Sequence, residues 1–194
     1  MGLKRLNPKT LVVLGIALLI AGCVPVRSVH PLFTEKDLVF EPALLGTWAL
    51  EDATLEFRQS ERNAYDLTYT QEVSAKLEAH LLRLGEFLFL DISLGQRAPE
   101  ALFPRPHPAY LVHMFPVHTF WRIRIEGDEL HLEDLDDGWV NRMIREGIVE
   151  IHHARLGEYD IVLTAPTEEL QEFLLTHAKS PEAFQALRRW QRRR

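Results

Sequence analysis

The segment RIRIEGDELHLE, at 122–133, constrains the fold of this chain more than any other. Apolar and polar residues alternate on both sides of Gly127-Asp128, and a period of two is the mark of a half-buried strand. Glycine followed by an acid between two such runs predicts a hairpin with a two-residue type II′ loop, whose first position needs positive φ. The side chains specify the register. Ile125 falls opposite Leu130 and Ile123 opposite Leu132, whereas Arg124 falls opposite His131 and Arg122 opposite Glu133. One face is apolar and the other carries polar or opposite-charge pairs, and a slip of one residue would mix them. The same Gly-acid step recurs in RLGEF (83–87) and RLGEY (155–159), where a two-residue loop would put Arg155 opposite Asp160. Repeated hairpins of this kind predict a mainly β, antiparallel fold.

TLEFR and AYDLTYT add further strands, the second with Tyr65, Leu67 and Tyr69 on one face. The hairpin at 76–94 is apolar on both sides. Leu82, Leu84, Phe87 and Phe89 share one face, and Leu81, Leu88, Leu90 and Ile92 the other. Something must therefore cover its outside. APTEELQEFLLTHAK (165–179) predicts a suitable helix, with Pro166 in its first turn and a stripe of Leu170, Phe173, Leu174 and His177. DDGWVNRMIREG (136–147) predicts one short internal helix, its acids at the start and Gly147 past the end. Ser180-Pro181-Glu182 predicts the start of another C-terminal helix. Pro99, Pro104, Pro106, Pro108 and Pro116 exclude a central strand and make 95–118 a long loop.

The N-terminus has a different logic. Lys4, Arg5 and Lys9 precede LVVLGIALLIA (11–21), an uncharged run too short to span a bilayer as a helix. A basic start followed by such a run reads as a secretory signal, with a short membrane anchor or a core helix as the alternatives. The single cysteine, Cys23, follows at once. Ile20-Ala21-Gly22-Cys23 resembles the lipobox of bacterial lipoproteins. The resemblance implies cleavage before Cys23 and lipid on its sulfur and its new amino group. It divides the chain into a signal peptide (1–22), a tether (23–43) and a single β-rich domain (44–194). Several acyl chains hold a protein far longer than one, because each buried CH₂ contributes about 0.8 kcal/mol. Val24 stands where Asp favours inner-membrane retention in Gram-negative lipoproteins, so the resemblance implies the periplasmic face of the outer membrane or the cell surface. The tether carries Val26, Leu32, Phe33, Leu38, Val39 and Phe40, which are costly to leave in water, so it is expected to dock partly on the domain.

FEPALLGTW (40–48) resembles the opening of lipocalins, where a short helical turn precedes G-x-W. Here the match is Gly46-Thr47-Trp48. It implies an up-and-down antiparallel barrel or half-barrel, with Trp48 plugging one end and a lumen for a small apolar ligand. The later T-D-Y motif of that family is missing. The other reading makes Trp48 an ordinary core aromatic that begins a strand.

Composition narrows the partners. The net charge is −6, and removing 1–22 would take away three cations and no acid. Five of the remaining arginines, Arg188, Arg189, Arg192, Arg193 and Arg194, cluster at the extreme C-terminus. So acidic a body repels phosphate backbones and excludes nucleic acid as a partner. Arg188, Arg189, Trp190, Arg192, Arg193 and Arg194 suit either contact with anionic headgroups or a solvated tail. His80 is expected opposite Asp91, as a His–carboxylate dyad or as a satisfied polar pair. Tyr65, Tyr69, His80, Asp91 and His152 are candidates for lining a cavity or for buried polar positions. His107, His113 and His118 match no metal-site spacing, and no nucleophile, zinc or phosphate-loop motif accompanies them. No cofactor or metal is expected. The expected function is an envelope lipoprotein held in the membrane through acylated Cys23, whose barrel binds a small apolar ligand or lipid. The alternative is a non-catalytic scaffold with an envelope protein partner, and an enzyme comes third.

Overall fold

Hydrophobic alternation becomes pairing wherever it was strongest. A computed structural model describes residues 25–61, 63–95, 116–157 and 160–193, apart from the side chains of 185–187. The strands are β1 (Arg27–Ser28), β2 (Gly46–Leu50), β3 (Ala53–Gln59), β4 (Ala64–Thr70), β5 (Ser74–Leu84), β6 (Phe87–Ser93), β7 (His118–Glu126) and β8 (Glu129–Leu135). Then come helix α1 (Asp137–Arg145), β9 (His153–Arg155), β10 (Ile161–Leu163), helix α2 (Thr167–His177) and β11 (Phe184–Arg193).

β2 to β8 pair in chain order, each antiparallel to the next. β11 pairs antiparallel with both β8 and β2 and closes the ring. The result is an eight-stranded up-and-down barrel, the architecture implied by the lipocalin resemblance. Followed round the ring, the register returns to β2 about twelve residues further on, a stagger that tilts the strands by roughly 45°. Inward positions are apolar, as in the run of Leu55, Phe57, Leu67 and Tyr69. Outward positions on β3 and β4 pair Glu56 with Thr68 and Arg58 with Asp66, which suits water.

The expected registers at 125–130 and 80–91 are both observed. Gly85 and Gly127 take φ of +56° and +61°, the positive values their two-residue loops need. The outward face of β5 and β6 is covered as expected. Leu82, Leu84 and Phe89 pack with Leu170, Phe173 and Leu174 of α2, with Trp139 and Val140 of α1, and with Val26 and Leu32 of the tether. The docked tether then runs to the far end of β5, where Leu38 bridges Leu82 and Val39 N donates to Leu81 O.

Two expectations are overturned. At the third Gly-acid step, Arg155 stands opposite Ile161, one residue out of the expected register, and Asp160 pairs with Arg27 of β1 instead. Gly157 lacks the positive φ of a two-residue loop, and the hairpin docks by pairing β10 parallel with β1. The second correction is larger. Only one C-terminal helix forms, α2, and 184–193 is a strand. The proline and acid at 181–182 do look like a helix start. The unpaired backbone groups of β8 and β2 across the open side of the ring outweigh that local preference.

Candidate functional site: the barrel mouth

One end of the barrel is sealed. Glu41 caps a 3-10 turn, Pro42–Leu44, through its carboxylate and Ala43 N. The Trp48 indole donates to Leu44 O at 2.9 Å and is 0% exposed. Arg192 of β11 lies 4.0 Å over the Trp48 ring and donates to Leu45 O at 2.8 Å and Ala43 O at 2.6 Å. Cation–π contact and capping of the turn's carbonyls thus come from one guanidinium. Gly46 has φ of +111°, and a Cβ there would lie 3.3 Å from Arg192 Nη1, so the G of G-x-W answers to both backbone and neighbour. Tyr65 also sits inside at this end. Its hydroxyl accepts from Glu41 N at 2.7 Å, and burial raises its pKa.

Above this plug, Leu55, Leu67, Leu81, Leu90, Leu130 and Trp190 fill the lumen. Their accessible surface is near zero, so no water-sized space adjoins them. The next tier inward-facing toward the other end is looser. Leu50, Tyr69, Leu77, Thr119 and Trp121 are only half-buried. They form a shallow mouth at the end where the 94–117 connection and the α1–α2 insertion leave the barrel.

Among the described residues one carboxylate faces into the mouth. In β8, Leu130 and Leu132 face inward, and the next inward position is Asp134, directly opposite Trp121 of β7. Burial, helped by the neighbouring charge of Asp136, pushes the Asp134 carboxyl up to about 6. An acid whose folded pKa exceeds its unfolded value weakens the fold as pH rises through that window, here from about 4 to about 6. Asp134→Asn is therefore expected to raise stability at pH 7.5 by about 1 kcal/mol, a figure reduced for the side chain's partial exposure, and to change nothing near pH 4. Urea denaturation at the two pH values checks this, and an equal effect at both would remove the electrostatic cause.

The other expected site residues are scattered. Tyr69 faces the mouth, and its hydroxyl donates to Gln71 Oε1 at 2.9 Å. His80 and Asp91 are register partners, but they face outward, beneath the tether. Asp91 is 1% exposed. Its oxygens meet His118 Nδ1 at 2.6 Å and Leu32 N at 2.7 Å. The dyad therefore involves His118 rather than His80. His80 stacks on Phe33 at 4.3 Å, and burial lowers its pKa. Ser28 lies opposite His118 in the ladder, but its hydroxyl oxygen accepts from His30 N. The cluster clamps the tether to the wall. His152 is exposed on the insertion and paired with Glu169 at 2.6 Å.

The C-terminal residues are corrected as a group. Trp190 is 4% exposed inside the barrel, so its ring is not a headgroup contact. Arg192 is engaged at the plug, and Arg188, Arg189 and Arg193 are exposed. Arg194, His107, His113 and Cys23 lie outside the described residues. Among the described residues no group of His, Cys, Asp and Glu could hold a metal ion.

Trp121 and Asp134 were missed by the sequence reading. Their signal was present: the inward alternation Leu130, Leu132 breaks at Asp134, on the face of the hairpin whose register was already known. A scan against family models and searches of curated proteins and of solved structures each return no match, so the fold assignment stands on the closed register described above.

Proposed function

We propose that this chain is an envelope lipoprotein, acylated at Cys23, whose barrel takes the end of a small apolar ligand or lipid at its mouth. The observation that carries the reading is where the tether joins the fold. β1 pairs with His118 and Thr119, the first residues of β7, at the mouth end of the barrel. Cys23 is two residues before Pro25, no more than roughly 7 Å of extended chain. An anchor there holds the mouth toward the leaflet and the Trp48 plug away from it. Apolar molecules leaving the leaflet would meet the half-buried Leu50, Leu77 and Trp121 first. Val24 after Cys23 supports the outer membrane or cell surface in a Gram-negative cell.

A second reading has its own support. The packed lumen leaves no deep cavity beside the residues that fill it, which favours a rigid scaffold for an envelope protein partner. Val73, at a turn of the mouth rim, is 80% exposed and would belong to such a surface.

Cys23→Ala is expected to abolish incorporation of labelled fatty acid and release the chain from the membrane fraction. Equal labelling of the two chains, or none in the unaltered one, would end the anchor reading. Mass spectrometry of lipid extracts from the native protein separates the two functions. A stoichiometric apolar molecule supports binding at the mouth, and its absence together with a co-purifying envelope protein supports the scaffold.

A further inference from the structure

Asp134 and Trp121 are cross-strand partners on the inward face, and each is only half-buried. Residues directly opposite in an antiparallel pair hold their Cβ atoms roughly 5 Å apart, so the carboxylate and the indole line one small volume. Leu50, Leu77 and Ile92 complete the wall. Among the described residues Asp134 has no salt bridge, and the charge that bears on it is a like one, Asp136. Arg188 faces the same opening, opposite Leu132, and is exposed. A partly buried carboxylate with no ion pair among the described residues weakens the fold, and carboxylates in such surroundings cluster at functional sites.

We propose that the mouth recognises the ammonium group of a cationic amphiphile: Asp134 pairs with the cation, the Trp121 ring covers it, and Leu50, Leu77 and Ile92 take the apolar chain. Carboxylate and indole together are the chemistry of ammonium recognition. Arg188 lies at the rim and turns its head to water or to an anionic part of the same molecule. The inference rests on the ligand-binding reading and names its ligand class. The ammonium group could come from a lipid headgroup or from a free amphiphile.

The test titrates hexylammonium, hexyl glucoside and hexyl sulfate into the full chain held in nanodiscs of an uncharged glycolipid, with empty discs as the partition control. Trp121 emission is the signal, and the Trp121→Phe chain subtracts the other tryptophans. Hexylammonium is expected to bind about tenfold tighter than the other two probes. Asp134→Asn should equalise the three, and Asp134→Glu should keep the preference. The melting temperature of each variant confirms that it is folded. Phosphatidylethanolamine added to the discs competes with hexylammonium if the source is a headgroup and leaves it untouched if the source is a free amphiphile. Equal binding of all three probes, tighter binding of hexyl sulfate, or a preference that survives in Asp134→Asn overturns the proposal while leaving an apolar mouth in place. No response to any probe overturns both the proposal and the ligand-binding reading.

Discussion

Trp48→Ala is expected to cost about 3–5 kcal/mol of stability, the usual loss for a large aromatic removed from a packed interior. The indole has no exposed surface, and it makes three kinds of contact at once. It fills the barrel end, donates to Leu44 O, and supports Arg192 at 4.0 Å. Loss of the ring also leaves the Arg192 guanidinium over a cavity. Trp48→Phe should cost less, because it keeps an aromatic face under Arg192 and loses chiefly the indole hydrogen bond. Urea unfolding of the two variants checks the order. A loss below about 1 kcal/mol for Trp48→Ala would mean that the end of the barrel is not plugged.

Deleting 188–194 is expected to be more damaging still. Were this stretch a solvated tail, its removal would change stability by no more than about 0.5 kcal/mol. As part of β11 it carries buried Trp190 and the Arg192 plug contacts, and among the described residues it alone pairs with β2 on that side. Without it, β2 and the first half of β8 present open edges, which invite pairing between chains. The truncated protein should lose its cooperative melt and aggregate. Arg189→Ala and Arg193→Ala, at exposed positions, should each be nearly neutral. If the truncated chain instead melts cooperatively within a few degrees of the full one, β11 does not close the barrel. The ring also bears on membrane contact. Arg192 and Arg193 lie beside the plug, at the end opposite β1, so the proposed anchor near β1 would hold them away from its own leaflet.

Much of this was legible because strand pairing in hairpins is local. The alternation across Gly127-Asp128 determines which residues face inward, and the two apolar faces at 76–94 require an outer cover. Asp136, Gly147 and the stripe on α2 bounded the helices through backbone groups only a few residues away. What the sequence left open was decided by partners distant in the chain. Whether 184–193 is helix or strand depends on two strand edges, β8 and β2, that exist only once the other strands have formed. Asp91 bonds His118 and Leu32 rather than His80 because the tether crosses the wall there. Asp160 pairs with Arg27 because β10 docks on β1. Local sequence determined the strands, their faces and their turns, since those depend on a period of two and on φ. Tertiary structure alone decided closure and the hold of Arg192 on the plug, since both bring residues from opposite ends of the chain together.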